Sequence, residues 1–370
     1  MFKNCQIIGV GVNPDEYHQI PAGCERGTSK FVLSSSSIRA FHANPDKWRT
    51  RIVAEDGAVS FWEFAGSKST EWGNLFDCLL LTPDQFQDRY AVQPSVYLSR
   101  VLKCPSCGSV TESKTCRNCK CERVEKDVEQ DWSPRSEHCV AWREEQEEAG
   151  RTIIKRGDLF AVNQAIKRFM ADPDFAALVN ESEHQVWISG EWHDPSGLVV
   201  PCKCLLDIVP TGTSAFHKSL ADVKTTKNAS VIPWEKWCHA AGYEIQAAWN
   251  YDMFHAAVPQ REITNFRFLL SESEAPFVVG RRIMSIDLLD PERDMGDVAS
   301  GRRQYKKMLF DYCACLRTGK WPGYDDTDEA ISGWSVVTPY PFQEQARQFH
   351  PKFQFEEEPK EAEPDGEITP

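Results

Sequence analysis

The stretch from Glu183 to Lys227 constrains this chain more than any other. HQVWISGEWHD, a PSG turn and LVVPCKCLLDIVP read as a hairpin, and SLADVKTTK as a third strand. Residues two apart on a strand point to one face, so Asp222 and Lys224 share a face and Val223 turns to the opposite, apolar layer. Asp207 lies near the end of the preceding strand within LLDIVP, where strand pairing can bring it beside Asp222. An unpaired carboxylate among apolar residues is costly, so this pattern calls for a partner. Two carboxylates beside a backbone carbonyl form a hard oxygen site suited to Mg²⁺ or Mn²⁺. Such a metal lowers the pKa of water and neutralises charge on a phosphoryl group in transit, and a lysine can orient the water or offset developing charge. By itself D…DxK is also a common pattern on a solvated strand.

The flanks predict what surrounds these strands. LSSSSIRAFHANPDKW reads as a serine N-cap and a short amphipathic helix stopped near Pro45. STEWGNLFDCLLLTPDQF is apolar on one helical face through Trp72, Leu75, Phe76 and Leu79. EHCVAWREEQEEAG is helical, as is LFAVNQAIKRFMADPDFAALV, with an end or bend at Pro173. After the strands, WEKWCHAAGYEIQAAWNYDMFHAAV predicts one long helix, ITNFRFLLSES and PFVVGRRIMSI two more strands, and about 297–317 a closing helix. The expected class is α/β (α+β), a mixed central sheet flanked by helices. The expected organisation is an N-terminal helical part over 1–102, a cysteine-rich insertion over 103–132, the core over 133–350 and an acidic tail over 351–370. The tail lacks apolar periodicity and is expected to be disordered.

A net charge of −13 argues against binding nucleic acid by bulk attraction, although metal-holding carboxylates and the acidic tail contribute to it. No apolar run is long enough to span a bilayer and the N-terminus has no signal-peptide pattern, so a cytoplasmic location is expected. Fourteen cysteines are then expected to be reduced, and clusters among them point to metal. Cys104, Cys107, Cys116 and Cys119 form CPxCG and CxxC turns that can offer four thiolates to one structural Zn²⁺. Cys121 could replace Cys119. Cys202 and Cys204, and Cys313 and Cys315, read as packing residues. Trp187, Trp192, Trp234, Trp237 and Trp249 read as core or end-stacking surface, and Lys227 as a phosphate contact or a solvated lysine. No phosphate-binding GxxxxGK[ST] loop is present.

KCLLDIVP, ADVKTTKNAS and GYEIQAAWNYDMF together resemble the PD-(D/E)xK nuclease core of the exonuclease VIII (RecE) type and its phage-borne relatives. LSSSSIRAFHANPDKW, WGNLFDCLLLTPDQFQDRYAV, HCVAWREEQEEAG and YCACLRTGKWPGY are similar to that family's segments in the same order. The resemblance spans nearly the whole chain apart from the cysteine insertion and the tail. It implies a restriction-endonuclease-like fold and an ATP-independent exonuclease on linear double-stranded DNA. It also implies a homo-oligomer, a single-strand annealing partner and a bacterial or phage-infected cell. By position it makes Asp207 and Asp222 metal ligands, Lys224 the catalytic lysine and Gln246 the glutamine of a Q-xxx-Y motif. Here Asn250 stands at the tyrosine position, with Tyr251 next to it. A G-xxx-H element corresponds to Gly73–Asp77, so Asp77 stands where a histidine is expected. Glu183 is a further candidate acid before the first strand, and His184 reads as a solvated strand residue. The alternatives are an endonuclease or flap nuclease on the same core, and a non-catalytic DNA- or protein-binding module.

Overall fold

The computed structural model describes residues 1–20, 23–53, 59–61, 68–111, 113–285 and 297–323. Its centre is a six-stranded sheet whose spatial order follows the chain: β1 (Phe2–Gly9), β2 (Ser182–His193), β3 (Val199–Pro210), β4 (Ser219–Thr226), β5 (Asn265–Glu272) and β6 (Val279–Ser285). Neighbours run antiparallel except β4 and β5, which are parallel in continuous register from Ser219–Asn265 to Thr226–Glu272. A parallel pair needs a crossover. Here it consists of two helices, α5 (Val231–Ala241) and α6 (Tyr243–Ala257). The other longer helices include α1 (Ser35–Ala43), α2 (Lys68–Leu81), α3 (Arg156–Met170), α4 (Pro173–Asn180) and α7 (Asp297–Thr318), and a further helix spans Glu137–Glu148.

Local chemistry explains most boundaries. Ser34 caps α1 in a reciprocal box with Ser37, and the extended Asn44 ends it before Pro45 opens a short separate helix. Asp172 caps α4, accepting from the amides of Asp174 and Phe175, with Pro173 at the first helical position. The expected single long helix after β4 is instead two. Gly242 adopts a left-handed conformation with φ 66° and ψ 40°, ending α5 and starting α6 on a new axis. A side chain there would be strained, and its Cβ would fall 2.9 Å from Cδ of Arg39.

The sheet separates two apolar layers. On one side Leu206, Leu220, Phe266 and Phe268 pack with Phe41 of α1, Trp249 of α6 and Tyr312 of α7. On the other, Ile208, Ala221, Val223 and Leu269 pack with Phe76 of α2, Phe169 of α3 and Phe175 of α4. β1 was not foreseen because much of FKNCQIIG is exposed and its apolar alternation is weak, yet Phe2 is buried against Trp192 and Trp249. The cysteine region sits on a two-stranded antiparallel arm, Val96–Lys103 with Val124–Asp131, so its stalk begins before position 103. Residues 1–321 form one compact unit, while the acidic tail lies outside the described residues. No helix among the described residues is long and apolar enough to cross a membrane.

Candidate active site and candidate thiol metal site

The strands β3 and β4 pair at Ala221 opposite Ile208. Next to that point the Asp207 carboxylate takes a strand-pairing role: its Oδ2 accepts from the Val223 amide at 3.0 Å. This draws Asp207 of β3 toward Asp222 and Lys224 of β4. Asp222 is 1% exposed, and both of its oxygens are engaged. Gln246 Nε2 of α6 donates to Oδ1 at 2.7 Å, and Lys224 Nζ lies 2.5 Å from Oδ2. The second contact is an ion pair, since Oδ2 has no aligned hydrogen bond. From α2, Asp77 completes the group, its Oδ1 shielded from solvent and without a hydrogen-bond partner.

The charges are mutually strained. Burial, with the Asp222 charge adding to it, pushes Asp77 up to about 7, against the pull of Lys224 and Arg89. Burial and the neighbouring Asp222 and Asp77 push Asp207 well above the usual carboxylate range. Burial pulls the Lys224 ammonium down, but Asp222, Tyr243 and Asp207 outweigh it and hold the group above its ordinary value. Lys224 also sits over the Tyr243 ring, 4.9 Å from its centroid. Three hard oxygen donors, one of them an orphaned buried oxygen, fit a divalent cation. They converge less tightly than the thiols described below, which among the described residues are the one His, Cys, Asp or Glu group with all ligand atoms within 4.8 Å.

Asp77 stands between two clefts. One of about 850 Å³ is lined by Asn74, Lys224, Thr226, Lys227, Trp237 and Tyr243, among others. The other, about 190 Å³, contains Asp15, Asp207, Arg89 and Gln185.

The structure thus gathers Asp77, Asp207, Asp222, Lys224 and Gln246. It does not gather Glu183, which is exposed on β2 opposite Val209 and bears electrostatically on Arg261. Gln185, two residues further on, reaches the site instead and donates to Asp207 Oδ1 at 3.3 Å. The strand period does not point to it: Gln185 has a left-handed backbone, φ 46°, which breaks the alternation and buries its side chain while Glu183 stays exposed. His184 is half-buried rather than solvated, its ring nitrogens 3.0 and 2.8 Å from the carbonyls of Leu81 and Val179. Asn250 is buried, and Tyr251 packs toward α7 with the Arg302 guanidinium 5.8 Å from its ring. Tyr243, one helical turn before Gln246, was missed in the sequence. Its i, i+3 spacing was visible, but the helix break at Gly242 that aims it was not.

The thiol site is built locally. Gly108 N–H donates to Cys104 O and Lys120 N–H to Cys116 O, each at 2.9 Å. Both residues have left-handed backbones, φ 71° and 58°, so the two knuckles are equivalent turns. The Ser109 hydroxyl and the Cys119 amide pull the Cys116 thiol down to about 5, whereas Cys107 leads in pushing Cys119 up to about 12. Four crowded thiols ionise together only around a cation, so the set Cys104, Cys107, Cys116 and Cys119 could hold a metal such as zinc. Cys121 Sγ is also near, 3.2 Å from Cys104 Sγ. Cys202, Cys204, Cys313 and Cys315 are buried in the core.

No protein-family model matches the chain, and no curated protein matches it. Among solved structures, it is similar to a candidate exonuclease from Eubacterium rectale, with 12% identity and a TM-score of 0.47. That match covers 91% of this chain and 98% of the other.

Proposed function

We propose that this chain is a divalent-metal-dependent, ATP-independent exodeoxyribonuclease of the PD-(D/E)xK type that digests linear double-stranded DNA. The observation that carries the reading is the orphaned, buried Asp77 oxygen grouped with Asp207 and Asp222 beside a lysine held protonated. Carboxylates that raise one another's pKa are expensive to keep together unless a cation is shared among them. Asp77, Asp207 and Asp222 would hold Mg²⁺ or Mn²⁺, which when bound acidifies water and neutralises charge on a phosphoryl group.

The chain's own groups do the rest. Gln246 fixes the rotamer of Asp222, and Gln185 with the Val223 amide fixes Asp207. Lys224 has a permanent positive charge to direct at an attacking water or at a phosphate oxygen gaining charge. Hydrolysis adds the water oxygen to phosphorus and breaks one P–O ester bond, the departing oxygen taking up a proton. The thiol tip would hold structural Zn²⁺ and stiffen the arm. The resemblance to exonuclease VIII proteins extends the proposal to a homo-oligomer acting at duplex ends beside a single-strand annealing protein.

The test is digestion of linear duplex labelled separately at each end, next to a closed circle of the same sequence. With Mg²⁺ or Mn²⁺ the wild type is expected to consume the linear form and spare the circle. Asp222→Asn should abolish cutting, and Lys224→Ala should slow it by roughly 10²- to 10³-fold, the range for removing one group that offsets transition-state charge. Intact linear DNA overturns the proposal, and a digested circle moves it to an endonuclease.

A further inference from the structure

We propose that Trp237, at the mouth of the larger cleft, is a stacking platform for an unpaired nucleobase of the strand lying across the carboxylate centre. The inference rests on the nuclease reading for its substrate class, but its evidence is separate. Trp237 is 55% exposed, whereas Trp234 on the same helix is 2% exposed and stacks on Tyr243 with centroids 5.5 Å apart. Trp234 and Cys238, one helical turn apart, anchor α5 in the core. Trp237 is therefore not needed to hold the helix. It shares the cleft-lining face of α5 with Pro233, four residues earlier, and looks across a space of about 850 Å³ bounded by α2 and β4. Val231 and Ile232, 53% and 65% exposed, extend an apolar lip along the first turn.

The two clefts beside Asp77 differ in charge. The smaller one carries Asp15, Asp77 and Asp207, and its one arginine, Arg89, is paired with Asp15 at 3.3 Å. The larger one has Lys227, and Lys224 in its ion pair with Asp222, with Asp77 as the one carboxylate of its lining, and also carries Thr225, Thr226 and Asn228. A nucleic-acid strand entering there would meet cations for its phosphates and an indole for a base. That pairing of basic groove and aromatic platform binds single strands with little sequence preference, because every base has a π face. The cleft volume is ample for a nucleotide.

The experiment uses full-length protein carrying Asp222→Asn, so that binding is read without cleavage. The probe is a linear duplex with a short single-stranded end and 2-aminopurine placed at each end position in turn. Position-specific fluorescence quenching is expected at one or two positions and should be lost with Trp237→Ala but kept with Trp237→Phe. Trp237→Ala should weaken binding roughly 5- to 150-fold, the range of one base–aromatic stack. An abasic site at the quenched position should weaken the parent by a similar factor and add nothing to Trp237→Ala. Equal affinity of the Trp237→Ala protein, or an abasic penalty that is the same in both proteins, overturns the platform. If the Asp222-containing protein cuts DNA but no quenching depends on Trp237, the platform falls and the nuclease reading stands. If it does not cut but the quenching depends on Trp237, the reverse holds.

Discussion

The two candidate metal sites are assembled in opposite ways. The four thiols span Cys104 to Cys119 and are posed by two short turns whose hydrogen bonds stay within the arm. The carboxylate centre takes Asp77 from α2, Asp207 from β3, Asp222 and Lys224 from β4 and Gln246 from α6. In the first, little apolar burial surrounds the ligands, so bound metal should be the main source of order. In the second, both apolar layers of the sheet fix the scaffold first, and the acids are held together against their repulsion. A local site tests whether metal makes structure, and a long-range site tests whether structure makes a place for metal.

The largest expected effect is on the arm. Cys104→Ser with Cys116→Ser should take bound zinc from one equivalent to none and open amide exchange in Val96–Asp131, because structural zinc supplies on the order of 10 kcal/mol of local folding free energy. The melting of the sheet domain should barely move. A global loss of stability in calorimetry would break the contrast, showing that the arm and the domain fold as one.

Neutralising a carboxylate should act in the other direction. Asp77→Asn removes a charge that burial and Asp222 disfavour, so without divalent ions near pH 8 the protein should gain stability, by a few kcal/mol at most. The same variant should lose most of the rise in melting temperature that Mg²⁺ or Mn²⁺ gives the wild type. A destabilised Asp77→Asn protein that still responds fully to metal would remove Asp77 from the site.

The same burial predicts a pH slope. Asp77 titrates near 7 in the folded chain, well above an unfolded aspartate, and Asp207 is shifted the same way. The folded state therefore keeps these protons when the unfolded state has lost them. Their stabilising contribution is complete below about pH 4 and is lost as pH rises through about 7. Chelated protein should show this decline in urea unfolding, and saturating Mg²⁺ should flatten it. A chelated protein whose stability is flat over that window would mean that the acids are not buried together.

Short-range chemistry makes the locally coded parts legible in the sequence. Alternation of apolar and polar residues marked β2, β3 and β4, and put Asp222 and Lys224 on one face with Val223 on the other. Ser34, Asp172 and Pro173 marked helix ends through their own side-chain chemistry, and the CPxCG and CxxC turns marked the thiol site. These features are legible because their causes lie within a few residues. Tertiary structure alone decided the rest: that β1 closes the sheet against β2, that Gln185 rather than Glu183 touches Asp207, and that Gly242 turns α6 so that Tyr243 and Gln246 reach Lys224 and Asp222. It also decided that Trp234 is buried while Trp237 faces the cleft. Each depends on where distant segments pack, and a charge or an indole is written the same way in the sequence whether its neighbours bury it or leave it in water.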